Sequence, residues 1–123
     1  MTLSQRIQTA SADETRALLE EAYEAVHGKS CDWFRYYGEI EQKHDARAFQ
    51  ALLDINTQEA FLAAAMMLVD EDMREMTMST VYGVAHVGIN MNHGPNDGPY
   101  YGSDDCGSLP LALLSAACQA RGL

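Results

Sequence analysis

The sequence is poor in basic side chains. Lys and Arg total 8 against 18 Asp and Glu, so the formal net charge at pH 7 is −10. Proteins that bind nucleic acids directly need clustered Lys and Arg to neutralise phosphates. We therefore expect no direct binding of DNA or RNA. A charge of this sign and size keeps a small protein soluble, which is the favoured interpretation, and the alternative is that it complements a partner protein with a basic surface.

Long hydrophobic runs are also missing. The longest apolar segment, AFLAAAMMLV at residues 60–69, is far shorter than the roughly 20 residues of a membrane-spanning helix. The first residues, MTLSQRIQTASADE, have neither the basic nor the continuous apolar region of a secretory signal. We therefore expect no membrane association and a cytoplasmic location.

Cysteine is scarce and unpaired. The three residues Cys31, Cys106 and Cys118 form no CxxC pair, and an odd number argues against a disulfide framework. Free thiols in a reducing compartment are the expected state. Structural zinc sites need Cys or His pairs at short regular spacing, so no such site is predicted.

The capping and apolar patterns predict helices in one domain, residues 1–123. SADE at residues 11–14 has capping-box form with Ser11 as N-cap, and Gly28 ends the helix that follows. NTQE at residues 56–59 repeats the pattern with Asn56 as N-cap. SLPLALLSAACQARG predicts a last helix capped by Ser108 and lying across a sheet.

Two regions favour strands. DWFRYYGEIE at residues 32–41 is rich in aromatic residues, which predicts a strand. EMTMSTVYGVAHVGINM at residues 75–91 alternates and predicts two strands that bend near Gly83, with Met76, Met78, Thr80 and Tyr82 on one face. The fold class is therefore α+β, with a small antiparallel sheet packed against two or three helices in the order α-β-α-β-β-α.

The order of these segments resembles a known group. LSQRI…LLEEA, the AFLAAAMMLV helix, the strands after it and the closing LPLALLSAACQARGL resemble small phage and prophage proteins of the phage ABA sandwich domain. The resemblance implies a phage-encoded accessory protein in a bacterial host cell, directed at a host protein. It brings no assigned chemistry and no catalytic residues.

The segment NMNHGPNDGPYYGSDDCGS, residues 90–108, is the one irregular stretch. PNDG is a turn signal, so a connecting loop is the favoured interpretation. The alternative is a metal site with the ligand set His86, His93, Asp97 and Asp104, to which Asp105 and Cys106 add donors of the same type. The spacing matches neither an EF-hand nor a zinc motif, and we expect no cofactor.

Aromatic residues concentrate in two places, near residue 33 and near residue 100. Tyr and Trp dominate protein recognition surfaces, and a stiff GPYYG loop beside acidic groups would form a binding tip. The alternative is that the rings fold back over the sheet and complete a small core. The predicted partner-binding residues are Tyr100, Tyr101, Asp97, Asp104, Asp105, Trp33 and Tyr37.

The sequence therefore predicts a non-enzymatic acidic interaction protein, a phage-derived accessory protein that binds a host or viral protein. A host-defence inhibitor competing for a basic groove is one form of it. The first alternative is a metal- or small-ligand-binding domain, or a hydrolase, built on residues 86–106. The second is a structural homo-oligomer, with a homodimer as its simplest form, because residues 60–69 and 109–120 are apolar nearly all round.

Overall fold

The computed structural model describes residues 1–69, 75–90, 100–103 and 108–123. These residues form an α+β domain, as predicted, with a short 3₁₀ turn at Ala12–Glu14 before the second helix. The elements are, in chain order, α1 (Leu3–Gln8), α2 (Thr15–His27), α3 (Cys31–Tyr37), α4 (Ile40–Ile55), α5 (Gln58–Met66), β1 (Glu75–Val81), β2 (Val84–Asn90), β3 (Tyr100–Ser103) and α6 (Leu109–Ala120).

Helix α2 follows its apolar stripe. Leu19 and Tyr23 are buried, and the helix ends at Gly28, whose φ of 83° lies in the left-handed region. Glycine adopts this conformation without a Cβ clash, so it stops a helix at little energetic cost. The predicted N-cap residue Ser11 precedes the 3₁₀ turn and donates its hydroxyl to Asp13, but its side chain makes no capping hydrogen bond.

The strand predicted at residues 32–41 is wrong, because this segment forms α3 and the start of α4. The Ser30 hydroxyl accepts a hydrogen bond from the Trp33 amide at 3.2 Å and caps α3. Strand preference of aromatic residues reflects packing on a neighbouring sheet. Here α3 packs on α4 and α2 instead, so tertiary contacts outweigh the local preference.

The predicted capping box at residues 56–59 is displaced by one residue. Helix α4 runs continuously for 16 residues, and Asn56 ends it with a left-handed φ of 58°. Thr57 is the N-cap of α5, and its side chain accepts the Ala60 amide at 3.2 Å. Asn tolerates the left-handed conformation and Thr does not, which decides the two roles.

The sheet is antiparallel with strand order β1-β2-β3. The predicted hairpin is confirmed, and its two turn residues, Tyr82 and Gly83, both have positive φ, 52° and 80°. This is the turn geometry that matches the twist of paired strands. Tyr82 therefore lies in the turn and not on the strand face with Met76, Met78 and Thr80, as the alternation had predicted.

Helix α6 is the centre of the core. It packs against β2 and β3 on one side and against α1 and α5 on the other, as predicted for a helix lying across the sheet. Ser108 caps it by accepting the Leu111 amide at 3.2 Å. Its all-round apolar surface, from which self-association was predicted, is thus buried within one chain.

Helix α5 is covered less completely. Phe61, Ala65 and Leu68 are buried, as predicted, but Met66 and Met67 remain exposed. Among the described residues, no helix combines the length and apolarity that a membrane crossing requires.

Candidate protein-interaction surface

Within the described part of the chain, a group of exposed apolar side chains lies on α3 and the first residue of α4. Trp33 is 39% exposed, Tyr36 63%, Tyr37 73% and Ile40 75%. We call these four residues the α3 aromatic surface. Several large apolar side chains that remain exposed close together in the sequence, with polar residues around them, are typical of protein interaction sites.

Helical spacing brings these residues together. Residues three and four apart lie on the same side of a helix, so Trp33, Tyr36 and Tyr37 share one side of α3. The Trp33 and Tyr37 ring centroids lie 5.8 Å apart. Phe34 points the other way and packs, half-buried, against the core.

The exposed rings are continuous with the core. Trp33 meets Phe34 edge to face, with ring centroids 5.1 Å apart, and Phe34 lies 6.2 Å from Tyr23. Tyr23 in turn lies 4.7 Å from the buried ring of Phe49. Offset and edge-to-face ring contacts of this kind are favourable beyond the area they bury. The surface is therefore held by a chain of packed rings.

The junction between α3 and α4 is fixed by Gly38. Its amide donates to the Phe34 carbonyl at 3.0 Å, and a Cβ at this position would lie 2.8 Å from the same oxygen. Real Cβ atoms do not approach a backbone oxygen so closely. Any larger residue would therefore move α3 relative to α4, and with it the aromatic surface.

Two cations lie at the edge of the α3 aromatic surface. The Lys29 Nζ atom is 5.7 Å from the Trp33 ring centroid. Arg35 donates to the Tyr36 hydroxyl at 3.0 Å and pairs with Asp32 at 3.1 Å. Its Nε atom is buried and has no hydrogen-bond partner among the described residues. Both cations are held by their neighbours, and the exposed acids Glu39 and Glu41 follow at the start of α4.

A small cleft lies beside the core end of this ring chain. It has a volume of about 280 Å³ and is lined by Tyr23, His27, Asp45 and Met67. Burial, and then the charge of Arg121, lower the pKa of His27, while Asp45 acts in the opposite direction. Burial raises the pKa of the Tyr23 hydroxyl. A neutral imidazole, a phenol and a carboxylate can hydrogen-bond a small polar ligand.

A larger cavity of about 570 Å³ lies where the 3₁₀ turn meets the N-terminal ends of α5 and α6. The capping hydroxyl of Ser108 is directed to the Leu111 amide, so this wall is already hydrogen-bonded. The lining residues are Ala12, Gln58, Glu59, Leu62, Ser108, Leu109 and Pro110.

Cys31 and Cys118 are free and buried. Burial raises the pKa of Cys31 and raises the pKa of Cys118 to about 11. The Cys31 thiol also donates to the Gln50 side-chain oxygen at 3.2 Å. Nucleophilic cysteines require the opposite shift, toward the thiolate, so these two are structural.

The structure places the predicted aromatic residues on two different elements. Trp33 and Tyr37 lie exposed on α3, which packs on α4 and α2. Tyr100 and Tyr101 belong to strand β3, opposite Ile89 and Gly88 of β2, and not to the loop tip that was predicted. Strand β3 packs on α6.

The acidic members and the alternative metal site fall largely outside the described residues. The residues outside the described ranges are His93, Asp97, Asp104 and Asp105. His86 lies half-buried on β2, opposite Ser79 of β1 and Ser103 of β3. Within the described part of the chain, no three His, Cys, Asp or Glu side chains are grouped as metal ligands.

Two residues of the α3 aromatic surface, Tyr36 and Ile40, were missed by sequence reasoning. Residues 33, 36 and 37 follow the i, i+3, i+4 spacing of one helix face, whereas Ile40 begins α4 after the extended backbone of Gly38 and Glu39. This helical spacing is present in the segment WFRYY, but the strand interpretation assigned its residues to alternating faces.

No protein-family model, no curated protein and no solved structure matches this chain. The resemblance to phage ABA sandwich proteins therefore stays a prediction.

Proposed function

We propose that this protein is a non-enzymatic interaction protein that binds a partner protein through the α3 aromatic surface. The observation that carries the proposal is the exposure of three rings, Trp33, Tyr36 and Tyr37, on one seven-residue helix. The chain buries Tyr23 and Phe49 in its core and packs the half-buried Phe34 against them, but it leaves these three rings open. Trp and Tyr are the residues that contribute most binding free energy in protein interfaces.

Rigidity supports the same proposal. A binding surface that is ordered before association loses less side-chain entropy when the complex forms. Trp33 is held by Phe34 and Tyr37, and Tyr36 is held by Arg35, whose guanidinium carbon lies 4.9 Å from the ring centroid. The rings are thus fixed in place without a partner.

Charge indicates the chemistry of the partner. The net charge is −10, and the exposed acids Asp32, Glu39 and Glu41 flank the α3 aromatic surface. A basic partner surface would be attracted at long range and then covered by the aromatic residues. In this proposal the acids Asp97, Asp104 and Asp105 strengthen the attraction of the whole protein.

The source and the identity of the partner rest on the resemblance alone. A phage-derived accessory protein would meet host or viral proteins, and a host-defence protein with a basic groove fits the charge. Inhibition would then follow from occupation of that groove.

The test is a quantitative pull-down from an extract of the producing cell. The bait proteins are the native chain, a Trp33→Ser/Tyr37→Ser variant, and a Tyr82→Ser control, which also removes an exposed ring. The proposal expects a protein captured by the native and control baits and lost from the double variant. Equal capture by all three baits would contradict binding through the α3 aromatic surface.

The electrostatic part has a separate test. The Asp97→Asn/Asp104→Asn/Asp105→Asn variant should bind the captured partner more weakly and with a smaller dependence on salt concentration. An affinity and a salt dependence equal to those of the native chain would contradict this part alone.

A second candidate function is the binding of a small polar ligand in the cleft of Tyr23, His27, Asp45 and Met67. The converging hydroxyl, imidazole and carboxylate groups favour it. Chemical-shift changes of His27 and Tyr23 on titration with a panel of small polar molecules would support it. Unchanged shifts across the panel would leave the cleft as a feature of core packing.

A further inference from the structure

Strand β1 forms one edge of the sheet. The strand order is β1-β2-β3, so β1 pairs with β2 on one side only. Among the residues that the structure describes, no backbone group pairs with its outer side. An unpaired edge presents a row of amide and carbonyl groups to any strand that approaches it.

The hairpin turn determines which groups point outward. With a two-residue turn, the flanking residues Val81 and Val84 face each other and exchange both hydrogen bonds. Hydrogen-bonded and non-hydrogen-bonded pairs then alternate along an antiparallel ladder. The amide and carbonyl groups of Met76, Met78 and Thr80 are therefore directed away from β2.

This edge lacks the features that normally prevent strand pairing. Natural edge strands carry Pro, Lys, a bulge or an inward-pointing charge. Residues 76–82, MTMSTVY, contain none of these residue types. The register with β2 runs without interruption from Glu75 to Val81, so there is no bulge.

We propose that β1 pairs with β1 of a second copy of this chain, antiparallel about a two-fold axis at Met78. Two three-stranded sheets would thereby join into one sheet of six strands. Met76 would lie opposite the partner's Thr80, Met78 opposite the partner's Met78, and Thr80 opposite the partner's Met76. Each of these three pairs would exchange two hydrogen bonds.

The outer edge of β1 is self-complementary, and for this reason we identify the pairing strand as β1 of a second copy of this chain. All three outward-directed residues of one β1 meet outward-directed residues of the other, so no ladder group is left over within this register. Met78 is 46% exposed although it lies opposite the buried Val87. In the pair it would be covered by the same residue of the other copy.

Charge favours this edge over the rest of the molecule. In a protein of net charge −10, most faces repel each other. Strand β1 carries one charge, Glu75, at its end. The two-fold axis would place the two copies of Glu75 at opposite ends, on the order of 20 Å apart along the ladder. Repulsion at this distance is largely screened at physiological salt.

The experiment is native mass spectrometry of the full chain and of variants at residue 78. One chain has a mass of 13.6 kDa. The native protein should show twice this mass. Met78→Lys and Met78→Glu alone should each show the mass of one chain, because like charges directly opposite destabilise a strand pair. An equimolar mixture of the two variants should recover the dimer as a one-to-one heterodimer.

The matched control is Met66, an exposed methionine on α5. Met66→Lys and Met66→Glu should leave the dimer intact. Loss of the dimer in these variants but not at residue 78 would assign self-association to the apolar helix and overturn the proposal. Far-UV circular dichroism verifies that each variant is folded.

Further results would also overturn it. A native protein that stays at the mass of one chain at its highest soluble concentration excludes the pair, and so does a mixture that forms no heterodimer. In another outcome, the protein stays at the mass of one chain, and amide exchange at Met76, Met78 and Thr80 slows only when an extended peptide is added. This outcome would show that the edge binds a peptide partner instead. The pairing predicts slow exchange at these three amides in the native dimer and fast exchange in Met78→Lys.

Discussion

The rings of Trp33 and Tyr37, four residues apart in the sequence, lie 5.8 Å apart on the open side of helix α3. This relationship exists because the segment is helical, since a strand would separate the two side chains by more than 10 Å. It places the rings of Trp33, Tyr36 and Tyr37 on one open side of α3. The proposed interaction function depends on this surface.

The Gly38 junction gives a test of how the surface is positioned. Gly38→Ala should lower the free energy of unfolding by about 1–3 kcal/mol, because the new methyl group collides with the Phe34 carbonyl. The shift of α3 should also change the fluorescence emission of Trp33, the one tryptophan in the chain. Gly83→Ala is the control, since it strains the hairpin at a φ of 80° and should destabilise without changing the emission. Unchanged emission in Gly38→Ala would show that the junction does not position the surface.

Tyr82 is held in a conformation that disfavours its side chain. Its φ is 52° and its side chain is fully exposed, so it loses backbone stability and gains no packing. Tyr82→Asn should raise the free energy of unfolding by about 1 kcal/mol, because Asn adopts the left-handed conformation readily. Urea denaturation measures this change. A loss of stability would mean that the Tyr82 ring has packing partners.

Two adjacent residues have different roles where α4 ends and α5 begins: Asn56 ends α4, and Thr57 is the N-cap of α5. Thr57→Ala should cost about 1 kcal/mol, because it removes the acceptor of the Ala60 amide. Asn56→Gly should cost nothing or stabilise slightly, because glycine suits a left-handed helix end. The reverse pattern in denaturant titrations would restore Asn56 as the N-cap.

His27 predicts a pH dependence of stability. Partial burial against the Tyr23 ring, whose centroid lies 4.3 Å from that of the imidazole, lowers the pKa of His27 from its ordinary 6.5, so just below that pH the unfolded chain binds more protons than the folded chain. Stability contributed by the neutral imidazole is therefore present above pH 6.5 and is lost as the pH falls below it. The free energy of unfolding, measured in urea between about pH 7 and about pH 5, should fall less in His27→Gln than in the native chain.

The control for this prediction is Met67→Gln, which changes another lining residue of the same cleft without removing an ionisable group and should leave the pH dependence unchanged. The Asp54 carboxylate does not interfere. Its hydrogen bond from Arg16 lowers its pKa from 3.8, so its contribution is lost only at lower pH. Equal slopes in the native chain and His27→Gln would contradict the origin proposed for the effect.

The parts of the fold predicted correctly are those with strong local signals. Gly28 ends α2, Ser108 caps α6 and Gly83 lies in the hairpin turn, and each role follows from backbone geometry that few residues satisfy. Residues 32–41 were predicted wrongly because strand preference of aromatics depends on neighbours that a sequence does not show. The N-cap of α5 was predicted at Asn56 and lies at Thr57, because Asn and Thr are both good N-cap residues and these two are neighbours in the sequence.

The candidate site was predictable in part. Aromatic density selected Trp33 and Tyr37, which the structure places on one open face. Tyr36 was missed because face assignment requires the correct period, 3.6 residues and not 2, and Ile40 was missed because it belongs to the next helix, α4. The pairing of Trp33 with Phe34, which holds the surface, depends on the Tyr23 and Phe49 rings of other helices. Such long-range contacts have no local pattern.

The most direct measurement of the interaction function is photo-crosslinking in the producing cell from position 36. A photoreactive phenylalanine analogue would replace Tyr36 in one variant and the exposed Ala17 of α2 in a control. The proposed function predicts an adduct with a second polypeptide from position 36 and none from position 17. Its loss when Trp33 and Tyr37 are also replaced by Ser would tie the contact to the surface. No adduct from position 36, or the same adducts from both positions, would contradict the claim that α3 carries a binding surface.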